Sequence, residues 1–153
     1  MKRFLKAYAT PYDASGPCPT ASLQSVITGL AVNETSGDAL RKRLYDLTLK
    51  AIKGLRDLGF YIDNDTNFPI VSVWIGESDH LIEASKILWS NGILITLAPY
   101  PMVRRGEETL RITVTAANDE EEVEQLISAF AKVKEFLEKQ NAPMRPATVA
   151  SIS

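Results

Sequence analysis

One stretch, Pro99 to Glu121, constrains the fold more than any other part of the chain. Within it Leu110, Ile112 and Val114 alternate with Arg111, Thr113 and Thr115. An apolar period of two is the mark of a strand with one buried face. Immediately afterwards the spacing changes. Val123, Leu126, Ile127, Phe130, Val133 and Leu137 recur at the three- and four-residue intervals of an amphipathic helix. Asn118 stands where a cap can accept a backbone N–H bond, and Glu121 follows three residues on, the spacing of a capping box. Asp119 to Glu122 place negative charge at the positive end of the helix dipole. A half-apolar strand joined directly to a half-apolar helix is satisfied when the helix lies on the sheet.

The remaining segments fit that plan. Residues 11–19 hold three prolines and a glycine and read as an ordered loop without regular helix. A helix is predicted from near Thr20, with Leu23, Val26, Ile27 and Leu30 on one face, and a break from Asn33 to Gly37. The next helix, capped by Ser36, carries Leu40, Leu44, Leu47, Ile52, Leu55 and Leu58 and stops at Gly59. Residues 69–75 form a short β-branched strand. Ser78 then caps a helix bearing Leu81, Ile82, Leu88 and Trp89, which ends at Asn91-Gly92. Ile93 to Leu97 and Leu110 to Thr115 are two further strands, joined by a connection that turns at Gly106. From Asn141 the chain has Pro143, Pro146 and no periodicity, so a loose tail is expected. The fold class is an α+β two-layer domain, a small sheet with helices packed on one face. Its parts are a leading segment and loop over 1–19, the α+β domain with its long connecting helix over 20–138, and a flexible tail over 139–153.

Composition removes several function classes. The chain of 153 residues is 45% hydrophobic and 24% charged, as ordinary globular domains are. A net charge of -2 does not suit phosphate-backbone binding, so no nucleic-acid partner is expected. No apolar run approaches the roughly 20 residues that cross a bilayer, and no membrane span is expected. The single cysteine, Cys18, sits between prolines and reads as a small packed filler; it fits a reducing cytoplasm. With one cysteine and one histidine, His80, a zinc site built from those ligands is not available. His80 has no partner in the sequence, and Arg104-Arg105 reads as a solvated turn. Trp74 and Trp89 are both expected in the core.

Arg111 is the candidate functional residue. The alternation throws it off the face opposite the apolar set, where its planar fork of donors would match a carboxylate. Periodicity by itself leaves open a second reading, a solvated strand arginine beside threonines.

The motif Glu108-Thr-Leu-Arg-Ile-Thr-Val-Thr-Ala-Ala-Asn118 resembles the C-terminal part of the α-oxoamine synthases, pyridoxal-phosphate enzymes of the aspartate-aminotransferase fold. Pro101, Val103, Gly106, Glu107, Leu110, Arg111, Thr113, Thr115, Ala116 and Ala117 match the family pattern. Ser15-Gly-Pro-Cys-Pro resembles the segment that opens this region, and Arg43 to Phe60 its long connecting helix. Asn118 stands where the family has histidine, and Arg104 where a proline is common.

The resemblance implies a mainly antiparallel sheet, as in the C-terminal small domain of fold-type I pyridoxal-phosphate enzymes. It also implies that Arg111 binds the substrate carboxylate and that Ser15 approaches the cofactor phosphate. The Schiff-base lysine of such enzymes lies upstream, and no lysine here sits in a comparable setting. The chain is therefore expected to be the C-terminal domain of an acyltransferase that condenses a small amino acid with an acyl thioester. It would be inactive alone and would bind no cofactor tightly. Its partners would be the missing cofactor domain and a second subunit of a cytoplasmic homodimer. An aminotransferase C-terminal domain and a free-standing α+β ligand-binding module are the alternatives.

Overall fold

The computed structural model describes residues 1–13 and 16–146, and the chain divides into two compact units at Asp38 and Ala39. In chain order the elements are α1 (Lys2–Tyr8), α2 (Thr10–Asp13), α3 (Thr20–Asp57), β1 (Ile70–Trp74), α4 (Ser78–Ser90), β2 (Thr96–Ala98), β3 (Thr109–Thr113) and α5 (Glu120–Lys139). The class is α+β, as the periodicities predict.

The first unit departs most from expectation. Residues 11–13 are helical, as part of α2, because Pro11 stands in a first turn, where the missing N–H would have no intrahelical partner anyway. The break expected at Asn33 to Gly37 is absent, and α3 runs through it. Thr35 donates its hydroxyl back to the carbonyls of Ala31 and Val32, a bond that leaves the helix ladder in place. A mid-helix glycine costs only about 1 kcal/mol, too little to end a helix by itself. The predicted stripe of Leu23, Val26, Ile27 and Leu30 exists but is exposed, as are Phe4, Leu5 and Tyr8. Cys18 is a free, exposed thiol, not a packed filler.

The second unit holds the core. Its three-stranded sheet has the order β1-β3-β2, with both pairings antiparallel. Val71 and Val73 of β1 and Leu110 and Ile112 of β3 turn to one face. There they meet Leu47, Ala51, Ile52 and Leu55 of α3, Leu81, Ala84 and Leu88 of α4, and Val123, Leu126, Phe130, Val133 and Leu137 of α5. Phe60 and Phe130 pack edge to face at 5.3 Å, a geometry worth roughly 0.5–1.5 kcal/mol beyond burial. α3 ends at Asp57, and Gly59 takes the left-handed φ of 97° that turns the chain away.

Element ends differ from the sequence reading for local reasons. β2 starts at Thr96, not Ile93, because the Ile93 N–H is still closing the last turn of α4 on the Leu88 carbonyl. Trp89 is 68% exposed, although core packing is predicted for it. Leu81, Ala84 and Leu88 define the buried stripe of α4, and the residue after Leu88 is rotated about 100° off it. Ser78 is the first residue of α4, and the cap position falls to Glu77, which makes no side-chain capping bond. On α5 the cap is one residue later than predicted. Asp119 accepts from the Glu122 N–H, and the Glu122 carboxylate accepts from the Asp119 N–H, so Asp119 and Glu122 form the box. Asn118 instead closes the turn before the helix, accepting from the Thr115 N–H and hydroxyl. Beyond α5, Ala142 and Met144 pack against the core, and the Met144 carbonyl accepts from the Tyr61 N–H.

α5 meets α3 at Gly54, where an added Cβ would overlap the Ile127 side chain. Gly54→Ala gains about 0.8–1.0 kcal/mol of helix propensity, but overpacking costs roughly 1–3 kcal/mol. We expect net destabilisation in urea unfolding, reversed when Ile127→Ala is combined with it; an additive double mutant would refute the contact. Asp119→Ala should cost roughly 0.5–2 kcal/mol. In the same assay Glu121→Gln should stay within about 0.5 kcal/mol, because Glu121 takes no part in the box.

Candidate functional site

Helices cover one face of the sheet, and the other carries Arg111. On central strand β3 the burial alternates: Leu110 and Ile112 are buried, while Arg111 and Thr113 are exposed. Arg111 pairs with Ser72 of β1 on one side and with Thr96 of β2 on the other. In antiparallel pairs, directly opposed side chains share a face, with Cβ atoms about 4.5–5.5 Å apart. The open face therefore presents a row, Ser72–Arg111–Thr96, in which a guanidinium is flanked by two hydroxyls. Among the described residues that guanidinium has no hydrogen bond or ion pair. The neighbouring row is Trp74–Thr109–Ala98. The strand positions of this face include no acid, so its one formal charge is positive.

Trp74 lies on this same face but is only 8% exposed, because its indole folds over the turn at Gly76. A Cβ at Gly76 would meet the ring at 2.4 Å, so only glycine fits there. The indole Nε1–H donates to the Gly106 carbonyl at 2.8 Å. The Gly106 N–H in turn donates to the Glu108 carboxylate at 2.7 Å. Gly106 is thus held from both ends, in the left-handed conformation with φ 86°. Glu108, 3% exposed, also accepts from the Ser78 hydroxyl, and its backbone carbonyl accepts from the N–H groups of Ile75 and Gly76. This network ties the loop between β2 and β3 to the end of β1 and the start of α4. The sequence shows Glu108 only as one more acid before a strand; its burial depends on the fold.

The other sequence candidates fall elsewhere. Ser15 lies outside the described residues. Arg104 and Arg105 are exposed, with the Arg105 guanidinium 4.6 Å from the centre of the Tyr100 ring. His80 stands in the first turn of α4, its Nδ1 buried and 3.7 Å from the Glu77 carboxylate, its ring edge-on to Phe136. Among the described residues no group of three or more His, Cys, Asp or Glu could hold a metal ion. No helix among them is long and apolar enough to cross a membrane.

The lysines show what else the site could hold. An imine-forming lysine works as a free amine, so its environment must lower its pKa. Hydrogen bonds to Glu124 and Glu120 do the opposite, holding the Lys50 ammonium above its usual range, and Asp57 does the same for Lys53. Lys42 and Lys86 pair with Asp46 and Glu83. None of these four lysines is placed as a free amine, and Arg111 is the exposed cation of the open sheet face.

Comparison with known proteins gives partial matches. No family model matches the chain. The 8-amino-7-oxononanoate synthase of Marinobacter nauticus is 31% identical over 134 residues, 88% of this chain and 34% of the relative. A serine palmitoyltransferase from S. paucimobilis, solved with bound PLP, superimposes with TM-score 0.77 at 18% identity over 89% of this chain and 34% of that one. The 8-amino-7-oxononanoate synthase of Francisella tularensis gives TM-score 0.75 at 18% identity over 92% of this chain and 39% of that one. The chain spans about a third of the length of the curated relatives it matches. In sequence the chain resembles the α-oxoamine synthases, and the match falls on the C-terminal part of those enzymes.

Proposed function

We propose that this chain is the C-terminal domain of a pyridoxal-phosphate-dependent acyltransferase, in which Arg111 grips the carboxylate of a small amino acid. The observation that carries the reading is the placement of Arg111: central on a rigid strand, exposed, unpaired, and on the sheet face opposite the helix-covered core. A guanidinium fixed by two strand pairings can orient the carboxylate it binds, and orientation is a large part of what such a clamp contributes. When bound, the cofactor supplies an electron sink for negative charge at the amino-acid α-carbon. Its covalent anchor belongs, on this reading, to the part of the relatives outside the matched third. The acyl group would come from a thioester, and the assembled enzyme would be a cytoplasmic homodimer. Ser15 is proposed, on resemblance alone, to approach the cofactor phosphate.

The first test is a titration of the full chain with L-alanine, following the backbone amide resonances of β1, β2 and β3. Saturable shifts are expected, and Arg111→Gln should abolish them without altering the amide spectrum elsewhere. An exposed ion pair contributes only about 0–1 kcal/mol, so Arg111→Lys should weaken binding by up to roughly fivefold. Binding that survives Arg111→Gln would overturn the assignment.

The chain should also form no saturable, dialysis-resistant adduct with pyridoxal phosphate, because the lysines of α3 and α4 are held in ion pairs. A stable lysine adduct found by mass spectrometry after borohydride reduction would refute the division of labour.

A further inference from the structure

The register places two hydroxyls beside the arginine, and neither is used by the fold. Ser72 opposes Arg111 from β1 and Thr96 opposes it from β2. Among the described residues neither side chain makes a hydrogen bond. Ser72 is half-buried and Thr96 exposed, so both are open to a ligand seated on the guanidinium. We propose that Ser72 and Thr96 are further carboxylate-binding residues. Their hydroxyls donate to the oxygens of a small monocarboxylate whose charge is held by Arg111. This rests on the reading of Arg111 given above and extends it to a three-residue row.

The chemistry of the row selects the ligand. A carboxylate oxygen accepts at two lone pairs, and a bidentate guanidinium uses one on each oxygen. The remaining acceptor positions point sideways, along the row toward β1 and β2. A hydroxyl on either flank meets that demand, whereas an acid there would repel the ligand and a second cation would favour a dianion. The row carries a single positive charge, which matches a single carboxylate. A small monocarboxylate matches a single cation flanked by two hydroxyls.

The test uses the full chain with propionate and, separately, L-alanine, each followed at the Arg111 Nε–H resonance. Ser72→Ala and Thr96→Val should each raise the dissociation constant by about three- to tenfold, what an ordinary hydrogen bond contributes net of competition from water. Ser72→Thr and Thr96→Ser, which keep the hydroxyls, should restore binding to within about twofold. Amide spectra of all four variants report whether the sheet register is intact. If the unaltered chain binds through Arg111 and Ser72→Ala and Thr96→Val bind equally well, the row is refuted while the role of Arg111 stands. If the unaltered chain shows no saturable shift, both fail. If Ser72→Ala and Thr96→Val weaken binding and Ser72→Thr and Thr96→Ser restore it, the row is established.

Discussion

The pairing of β3 with both its neighbours is the constraint on which the rest depends. Once Leu110 and Ile112 are committed to the buried face, alternation leaves Arg111 no choice but the open one. A slip of one residue would put the guanidinium into the core and two leucine-class side chains into water. Each fully buried aliphatic side chain is worth about 1.5–3 kcal/mol, and an unpaired buried charge costs more still. The register that forms the core is therefore the same one that presents the site, and neither can change alone.

Much of this could be read from the sequence because its signals are local. The alternation at Leu110–Thr115, the stripe from Val123 to Leu137 and the glycines that end α3 and α4 each need only near neighbours to act. The readings that failed depended on competing local bonds or on distant partners. At Asn33–Gly37 a run of poor helix formers was counted as a break, but Thr35 bonds back to its own helix and the run is tolerated. At the head of α5, Asn118 and Asp119 are both good caps. The choice was settled by Asn118 being already engaged with Thr115 and by the Arg43 guanidinium donating to its carbonyl. Trp89 was placed inside on hydrophobicity, although its angular position on α4 lies off the stripe.

The site was half legible for the same reason. Arg111 could be placed on a face from its own strand alone. Its neighbours Ser72 and Thr96 lie 39 and 15 residues earlier in the chain, and only the strand pairing identifies them. Glu108 and Trp74 were likewise hidden, because the bonds that join Glu108 to Ser78 and Trp74 to Gly106 link positions 30 and 32 residues apart. Sequence periodicity tells which way a residue points; it does not tell what stands beside it.

An arginine on an open sheet face binds weakly while water surrounds it. Exposed ion pairs contribute only about 0–1 kcal/mol, since solvent screens the charge and competes for every donor. The same pair strengthens several-fold once a second surface excludes water, because the effective dielectric falls. A lone grip of this kind is therefore of little use for discrimination by itself and of considerable use when something covers it. A chain that matches only a third of its relatives' length supplies, on the proposed reading, one firm half of a binding site. On the proposed reading, closure by the rest of the enzyme turns a weak surface contact into a selective one. The rigidity supplied by β1 and β2 then fixes in advance where the carboxylate must lie when that closure occurs.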